Sequence, residues 1–476
     1  MKKLNILGSF RSKKFKYGGY ATLMTAIVLA VLIVINLVAG MIPLRIDLTR
    51  EKIYSLSEQT YSMLKGLKDD IVIYNIGDPT SASPAVNEII KRYEGSSKHI
   101  SMDYIDPVRD PLTAQRYTKD DQQLGVGSIV VENGDVFRTI SQYDMYNFSQ
   151  ETQEPQIESL AIEQRLTSAI LYVSGAEAPS AYTLEGHGET LLDANIQKQM
   201  ELENFEIKGL NLLGLDAVPE DMDLLIINSP QRDLSTEEEE SLRDYLNNQG
   251  RAIFLMDVVV NELPNFQALL RSYGVEMQNA LVIEGEEGRY IGGNPLYVLP
   301  EYAEHAITTP ILTGELPLFI PGGQGIVTLE TKRNTLDVKP LLRTSDKAFG
   351  RMATSEVVTM EKDEADLPGP FALAVAIEDS VYNLAANKTI LTKLVVIGNS
   401  TFLSTGYEGS TNLFLNSLNW IFEREESITI RPKSIQTQPL NITEMKFRVY
   451  GGISVILIPL IVLILGLVVW LRRRNL

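Results

Sequence analysis

The chain has 476 residues, with 61 Asp and Glu against 43 Lys and Arg, a formal net charge of −18 and no cysteine. The missing thiols exclude a disulfide framework, metal–thiolate sites and thiol catalysis, and the acidic balance argues against a nucleic-acid partner, whose phosphates must be met by Lys and Arg. All the acids lie between Asp47 and Glu444, and 34 of the 43 basic residues fall within residues 45–449, so that region alone carries −27.

Residues 1–20 form a basic tail holding Lys2, Lys3, Arg11, Lys13, Lys14 and Lys16. Residues 21–44 and 450–471 then bracket the chain without a single charged side chain, and each is long enough as a helix to cross a hydrocarbon core about 30 Å thick. A cleaved signal peptide is the alternative for the first span, but its apolar run exceeds the usual core of roughly 7–15 residues and no compact small-residue cleavage site follows. A buried core helix is the alternative for the second. Its terminal place and the abrupt Trp470-Leu-Arg-Arg-Arg474 boundary speak for a membrane interface instead. The expectation is two membrane anchors, with the basic ends 1–20 and 472–476 in the cytoplasm by the positive-inside rule and residues 45–449 extracytoplasmic.

Residues 45–150 predict a small α/β domain of thioredoxin-like pattern. Ser55-x-x-Glu58 reads as a capping box opening a helix to about Lys65, which Gly66 stops. Strands at Ile71–Ile76 and Ile100–Ile105 flank a helix at Ala85–Tyr93, and Asn133-Gly134 marks a hairpin turn. Without Cys such a fold has no dithiol chemistry, which leaves a structural or binding role.

A second domain with a parallel sheet is expected in two parts, 151–284 and 367–435. Ile157–Val173 has helical spacing, Ala181–Glu185 reads as a strand and Glu189–Leu202 as a helix. Asp223–Ser229 and Ala252–Asp257 are short apolar runs of the kind buried on both faces of a parallel sheet. Between them Ser235-x-x-Glu238 caps a helix lined by Leu242, Tyr245 and Leu246 and ended by Gly250. Residues 285–366 read as an insertion or third subdomain, Thr389–Ile397 and Thr411–Arg424 as a closing strand and helix, and 436–449 as a linker.

The candidate ligand or partner loop is Gly186, His187, Gly188 and Glu189, set where a strand gives way to a helix, the favoured ligand edge of an α/β sheet. His187 and Glu189 have the chemistry to bind a ligand or metal, with His305 as a third group. The plainer reading is a tight glycine turn with Glu189 complementing a helix N-terminus. Gly322-Gly-Gln-Gly325 reads as a turn, Glu237–Glu240 as a dipole-matched helix start, and Asn416–Trp420 as core packing. Neither Gly-Lys of a phosphate loop nor Gly-x-Ser-x-Gly occurs. No catalytic residue, metal ligand or cofactor is therefore assigned.

Taken together, Arg45-Ile-Asp-Leu-Thr-x-x-Lys-x-Tyr-Ser-Leu-Ser57, Glu185-Gly-His-Gly-Glu189, the Asp223–Asp257 segment, Asn399-Ser-x-Phe402, Asn416-Ser-Leu-Asn-Trp420 and Ile430-Arg-Pro-Lys433 resemble the GldG family. Its members are auxiliary membrane components of ABC-type transport systems, first associated with gliding motility. The partners implied by the resemblance are membrane lipid, an ABC-2-like permease and a separate ATP-binding subunit. It also implies an outer region like the glutamine-amidotransferase α/β fold, used as a non-catalytic module in intraflagellar-transport proteins. The function expected is that of a non-catalytic auxiliary subunit. The alternative is a membrane-anchored extracytoplasmic hydrolase using His187 and Glu189.

Overall fold

The computed structural model describes residues 13–41, 47, 49, 52–79, 83–118, 124–149, 156–175, 178–215, 217–314, 316–352, 360–383, 387–422, 433–434 and 453–474. The chain divides into two units, residues 1–55 and 56–476. In the first, helix α1 (Lys13–Met41) holds most of the first apolar span, with Leu23, Ile33 and Leu37 each more than half exposed. Residues 1–12 of the basic tail and 42–44 of the span lie outside the described residues. After it, Asp47 organises a turn. Its carboxylate accepts from the backbone N–H of Thr49 at 3.0 Å and of Tyr54 at 2.7 Å, and from the Ser55 hydroxyl at 3.1 Å. Burial pushes the Asp47 carboxyl up, but these hydrogen bonds together outweigh it and hold the group below its ordinary value. Ser55 thus belongs to this turn and caps no helix, contrary to the sequence reading.

In the second unit the capping residue of α2 (Glu58–Gly66) is Ser57, whose hydroxyl accepts from Thr60 N–H at 3.2 Å. There follow β1 (Ile71–Ile76), α3 (Pro84–Ser96), β2 (Ile100–Ile105), α4 (Pro111–Arg116) and the hairpin β3 (Ile129–Asn133) and β4 (Val136–Ile140). They form a four-stranded sheet in the order β2-β1-β3-β4, parallel between β1 and β2 and antiparallel elsewhere. Gly134 takes φ +61° at the hairpin turn, where a left-handed residue matches the twist of the strands.

The stretch expected as one helix from Ile157 divides. β5 (Tyr146–Ser149) and β6 (Gln156–Leu160) pair antiparallel, joined by the short strand Lys433–Ser434. Ile157 and Leu160, three apart as on a helix, are held instead opposite Phe148 and Tyr146. The helix α5 begins at Ile162 (Ile162–Val173), packs on β3 and β4, and buries even Glu163, Gln164, Arg165, Thr167 and Ser168. Buried polar groups need partners, and these reach both ways along the chain. Glu163 accepts from Ser57 N–H at 2.6 Å and the Thr60 hydroxyl at 2.7 Å, while Arg165 donates to Gln199 at 2.7 Å.

The strands that follow are β7 (Ser180–Glu185), β8 (Glu206–Asn211), β9 (Leu224–Asn228), β10 (Arg251–Leu255), β11 (Val275–Ile283), β12 (Tyr297–Val298), β13 (Glu301–Tyr302), β14 (Ile320–Pro321), β15 (Gln324–Thr328), β16 (Leu336–Arg343), β17 (Phe349–Met352), β18 (Leu367–Pro368), β19 (Ala372–Asn383) and β20 (Lys388–Ile397), and all but two of them form one large sheet. β12 and β14 pair separately; the other twelve run β18-β17-β11-β15-β19-β20-β10-β9-β7-β8, with β16 beside β19 and β13 beside β16. From β20 to β8 all pairings are parallel. From β19 to β18 they are antiparallel. The sheet is therefore mixed, not parallel throughout. Parallel neighbours need a crossover, which α6 (Ala194–Leu202) supplies between β7 and β8 and α7 (Thr236–Asn247) between β9 and β10, whereas β19 returns to β20 as a hairpin. The 285–366 segment contributes β13, β15, β16 and β17 to this same sheet.

Strand alternation builds two apolar layers. Leu224 and Ile226 of β9 lie with Ile196 and Met200 of α6 and with Leu413, Phe414 and Leu418 of α10 (Glu408–Ile421), following the five-residue α9 (Thr309–Thr313). Leu225 and Ile227 lie with Leu242 and Leu246 of α7 and with Phe266, Leu269 and Leu270 of α8 (Pro264–Ser272). Helices on both faces explain why β9 is apolar at four consecutive positions. Asn416, Ser417, Leu418 and Trp420 are buried, as core packing requires. At the end of the chain, α11 (Ile458–Arg474) completes a stretch, Val455–Arg472, long and apolar enough to cross a membrane; among the described residues the apolar stretch of α1, Thr22–Leu37, is shorter. The expected linker 436–449 lies outside the described residues.

Candidate functional site

β7 ends at Glu185, and the chain turns through Gly186 at φ +116° and Gly188 at φ +78°. Glycine reaches these angles without a Cβ penalty. Between them His187 is folded inward, 7% exposed. Its Nδ1 lies 3.2 Å from Glu189 Oε1 and its Nε2 lies 3.1 Å from Glu238 Oε2, while the His187 N–H donates to Glu189 Oε2 at 2.8 Å. An imidazole with a carboxylate on each nitrogen satisfies both only as a double donor, which is the cation. The hydrogen bond to Glu189 raises the His187 pKa most, burial opposes it, and Glu238 adds to the rise. Burial pushes both carboxyls up, yet each stays below its ordinary value. The ring and N–H of His187 do this for Glu189; Ser235 N–H and the ring do it for Glu238.

Two sequence expectations change here. Glu189 does not stand at a helix start: α6 begins at Ala194 and is capped by Asp193, which accepts from Asn195 N–H at 2.9 Å and Ile196 N–H at 3.4 Å. The carboxylate that meets a helix N-terminus is Glu238. It completes the expected capping box of α7, accepting Ser235 N–H at 2.8 Å while Ser235 Oγ accepts Glu238 N–H at 3.2 Å. One residue thus caps α7 and grips His187. His305 does not join the loop. Its ring packs edge-on to Trp420 at 5.3 Å, and burial, with the charges of Lys339 and Lys393, pushes it down to about 4. Among the described residues no group of three His, Cys, Asp or Glu side chains is placed to hold a metal ion.

The loop is one of a row at the carboxyl edge of the parallel strands. A Cβ on Gly186 would meet the side chain of Asn211, the last residue of β8, at 3.6 Å, and one on Gly188 would meet Gln231 at 3.2 Å. After β9, Gln231 N–H and Arg232 N–H both donate to His187 O at 2.9 Å, and the Arg232 guanidinium donates to Gly186 O at 2.9 Å. Asn261, after β10, donates to Gln231 O at 3.4 Å. Beyond them Asp257 accepts from Ser400 N–H at 2.6 Å and Asn399 at 3.3 Å, and Asn399 in turn accepts Phe402 N–H at 2.8 Å. The Asn399-Ser-x-Phe402 motif therefore closes the edge after β20. Gly322, at φ +66°, turns the chain between β14 and β15, and no helix follows it.

Glu238, Arg232 and Asp257 were not identified as members of this edge from sequence. The only signal was the capping box, which gives Glu238 a local role and not its distant partner. Chemically the arrangement holds a loop rigid. It does not present a base to a nucleophile, because both imidazole nitrogens face carboxylates.

The fold and this edge define an α/β protein with a mixed sheet, helices on both faces and an ion-locked loop at the carboxyl ends of its parallel strands. The chain belongs to the family described as "ABC-type uncharacterized transport system", which matches residues 169–421. Residues 50–154 match a domain family of unknown function, DUF7088. No curated protein matches the chain. Among solved structures, the mmIFT52 N-terminal domain aligns over 51% of this chain and 97% of its own at 14% identity, with a TM-score of 0.36. A protein from Thermoplasma acidophilum, described as one of the subunits of a GMP synthase, aligns over 52% and 97% at 12% identity, with a TM-score of 0.25. Membership of the transport family supports an auxiliary role in association with transporter components.

Proposed function

We propose that the chain is a non-catalytic auxiliary subunit of an ABC-type transport system, of the GldG type associated with gliding motility. Its two apolar helices dock on an ABC-2-like permease beside a separate ATP-binding subunit, and residues 45–449 form an extracytoplasmic partner-binding region. Within that region we read 45–150 as a thioredoxin-like module and 151–435 as the larger one. The family match over 169–421, more than half of the chain, carries the proposal. The sequence lacks the Gly-Lys of a phosphate loop, so the energy source must be another subunit. The His187 geometry supports this reading over a hydrolase, since the ring has no nitrogen turned toward a nucleophile.

Helices associate in a bilayer through small residues that allow close approach. Ala26, Ala30 and Gly40 mark such positions in the first span and Ser454 and Gly466 in the second, while Gly451 and Gly452 lie outside the described residues. A Cβ at Gly466 would meet nothing within 4 Å. Because the chain has no cysteine, Gly466→Cys carries a unique thiol for a photo-crosslinker in native membranes. The expected adduct is with a multispanning permease. Adducts with lipid alone would contradict the proposal.

A further inference from the structure

The row of loops at the carboxyl edge has an apolar crest. Leu213, two residues past the end of β8, is 84% exposed; Leu191, in the loop after β7, is 84%; Val260, in the loop after β10, is 85%. The contacts already described run from Asn211 through Gly186, His187 and Gln231 to Asn261, so the loops bearing these side chains are consecutive neighbours. Large aliphatic groups left this open on adjoining loops offer apolar area for a contact. The same loops are acidic at their surface. Glu185, Glu237 and Glu262 are exposed, and Arg232 is the one Lys or Arg among residues 185–193, 211–215, 229–240 and 256–263. The Arg232 guanidinium is turned onto Gly186 O.

We propose that this edge docks a partner protein segment that brings cationic and apolar side chains together. The inference rests on the reading of the chain as a partner-binding component of a larger complex and names the chemistry of the contact. Apolar side chains enter between Leu191, Leu213 and Val260, and Lys or Arg meets the surrounding carboxylates, which steer the encounter. Anionic lipid would meet like charge here. A symmetric second copy would set this acidic row against itself. Thr190 N–H donates to Asn228 O at 2.9 Å and the Asn228 side chain donates back to Thr190 O at 2.8 Å, which fixes the backbone beside Leu191 and lowers the ordering cost on binding.

The test uses the full chain in phosphatidylcholine nanodiscs, with empty discs as baseline, and a labelled peptide of alternating Lys and Leu read by fluorescence anisotropy. Two control peptides replace every Leu by Gln or every Lys by Glu. Wild type should bind the Lys/Leu peptide at least tenfold more tightly than either control. The variant Leu191→Ser/Leu213→Ser/Val260→Ser should lose at least tenfold with unchanged thermal stability, since all three side chains are exposed; Val260→Ser alone should lose less. Equal binding by wild type and triple variant, binding that follows phosphatidylglycerol content of vesicles and not peptide, or self-association abolished by the triple variant would each overturn the inference. The triple variant should still co-purify with the permease through its helices. Failure of the wild type to co-purify would instead sink the auxiliary-component reading, so the two failures are distinguishable.

Discussion

His187 is the residue on which the carboxyl edge turns, and its ionisation dictates how the edge responds to pH. Its folded pKa lies above the unfolded value of about 6.5, so its contribution is full below that value and is lost as pH rises through the raised one. Glu189 and Glu238 act in the opposite sense: their folded values are depressed, so their contribution is present above about 4.3 and is lost as pH falls through the folded values. Hydrogen-exchange protection of the His187, Gln231 and Arg232 amides should therefore be greatest between these limits and should fall at higher pH; protection unchanged up to pH 10 would contradict the ion lock. His187→Ala leaves two facing carboxylates without their cation and should cost about 3 kcal/mol in denaturant unfolding, with His187→Gln recovering part of it. His305 behaves differently. Held down to about 4, it should stay neutral in an NMR titration to pH 5, and its contribution to stability disappears as pH drops from about 6.5 toward 4. The turn at Gly186 and Gly188 was legible in the sequence because glycine pairs report backbone angles. The grip of Glu238 on His187 was not, because it joins residues 51 apart and no local rule carries that distance.

At the scale of elements, what was legible follows from local chemistry. β1, β2, β9 and β10 came from short apolar runs, and α7 from its capping box with Leu242 and Leu246 on the inner side. Ser235→Ala should therefore cost about 1 kcal/mol, as loss of an N-cap does. The two serines ahead of α2 separate the sequence reading from the structure: Ser57→Ala should cost about the same, while Ser55→Ala should leave α2 intact, because its hydroxyl serves Asp47. Helix content by circular dichroism together with unfolding midpoints would check all three. Other elements were decided by distant pairing. β6 lies within a helical period yet is held by β5, and residues 189–193 continue an apparent helix that Asp193 starts only at Ala194. The antiparallel half of the large sheet depends on the β19–β20 hairpin and on strands from 285–366 returning to it, which spacing alone does not reveal.

For the molecule as a whole, the expectation of two membrane spans around an acidic middle rests on composition, through span length and charge asymmetry; among the described residues one stretch, Val455–Arg472, is long and apolar enough to cross a membrane. What the apolar spans and a long acidic region do together is not written in any one motif; the auxiliary role in transport is supported by family membership. Protease added to intact cells or protoplasts should digest the acidic middle and leave a tag after Leu476 protected; an accessible C-terminal tag would overturn the topology. The most direct measurement is mass spectrometry of the intact protein purified from its native membrane in mild detergent, beside a fragment of residues 47–444. A multispanning permease and an ATP-binding protein should accompany the intact chain in stoichiometric amounts, and neither should accompany the fragment. Repeated isolation of the intact chain alone would contradict the membrane-docked auxiliary role, and so would a fragment that retains the permease.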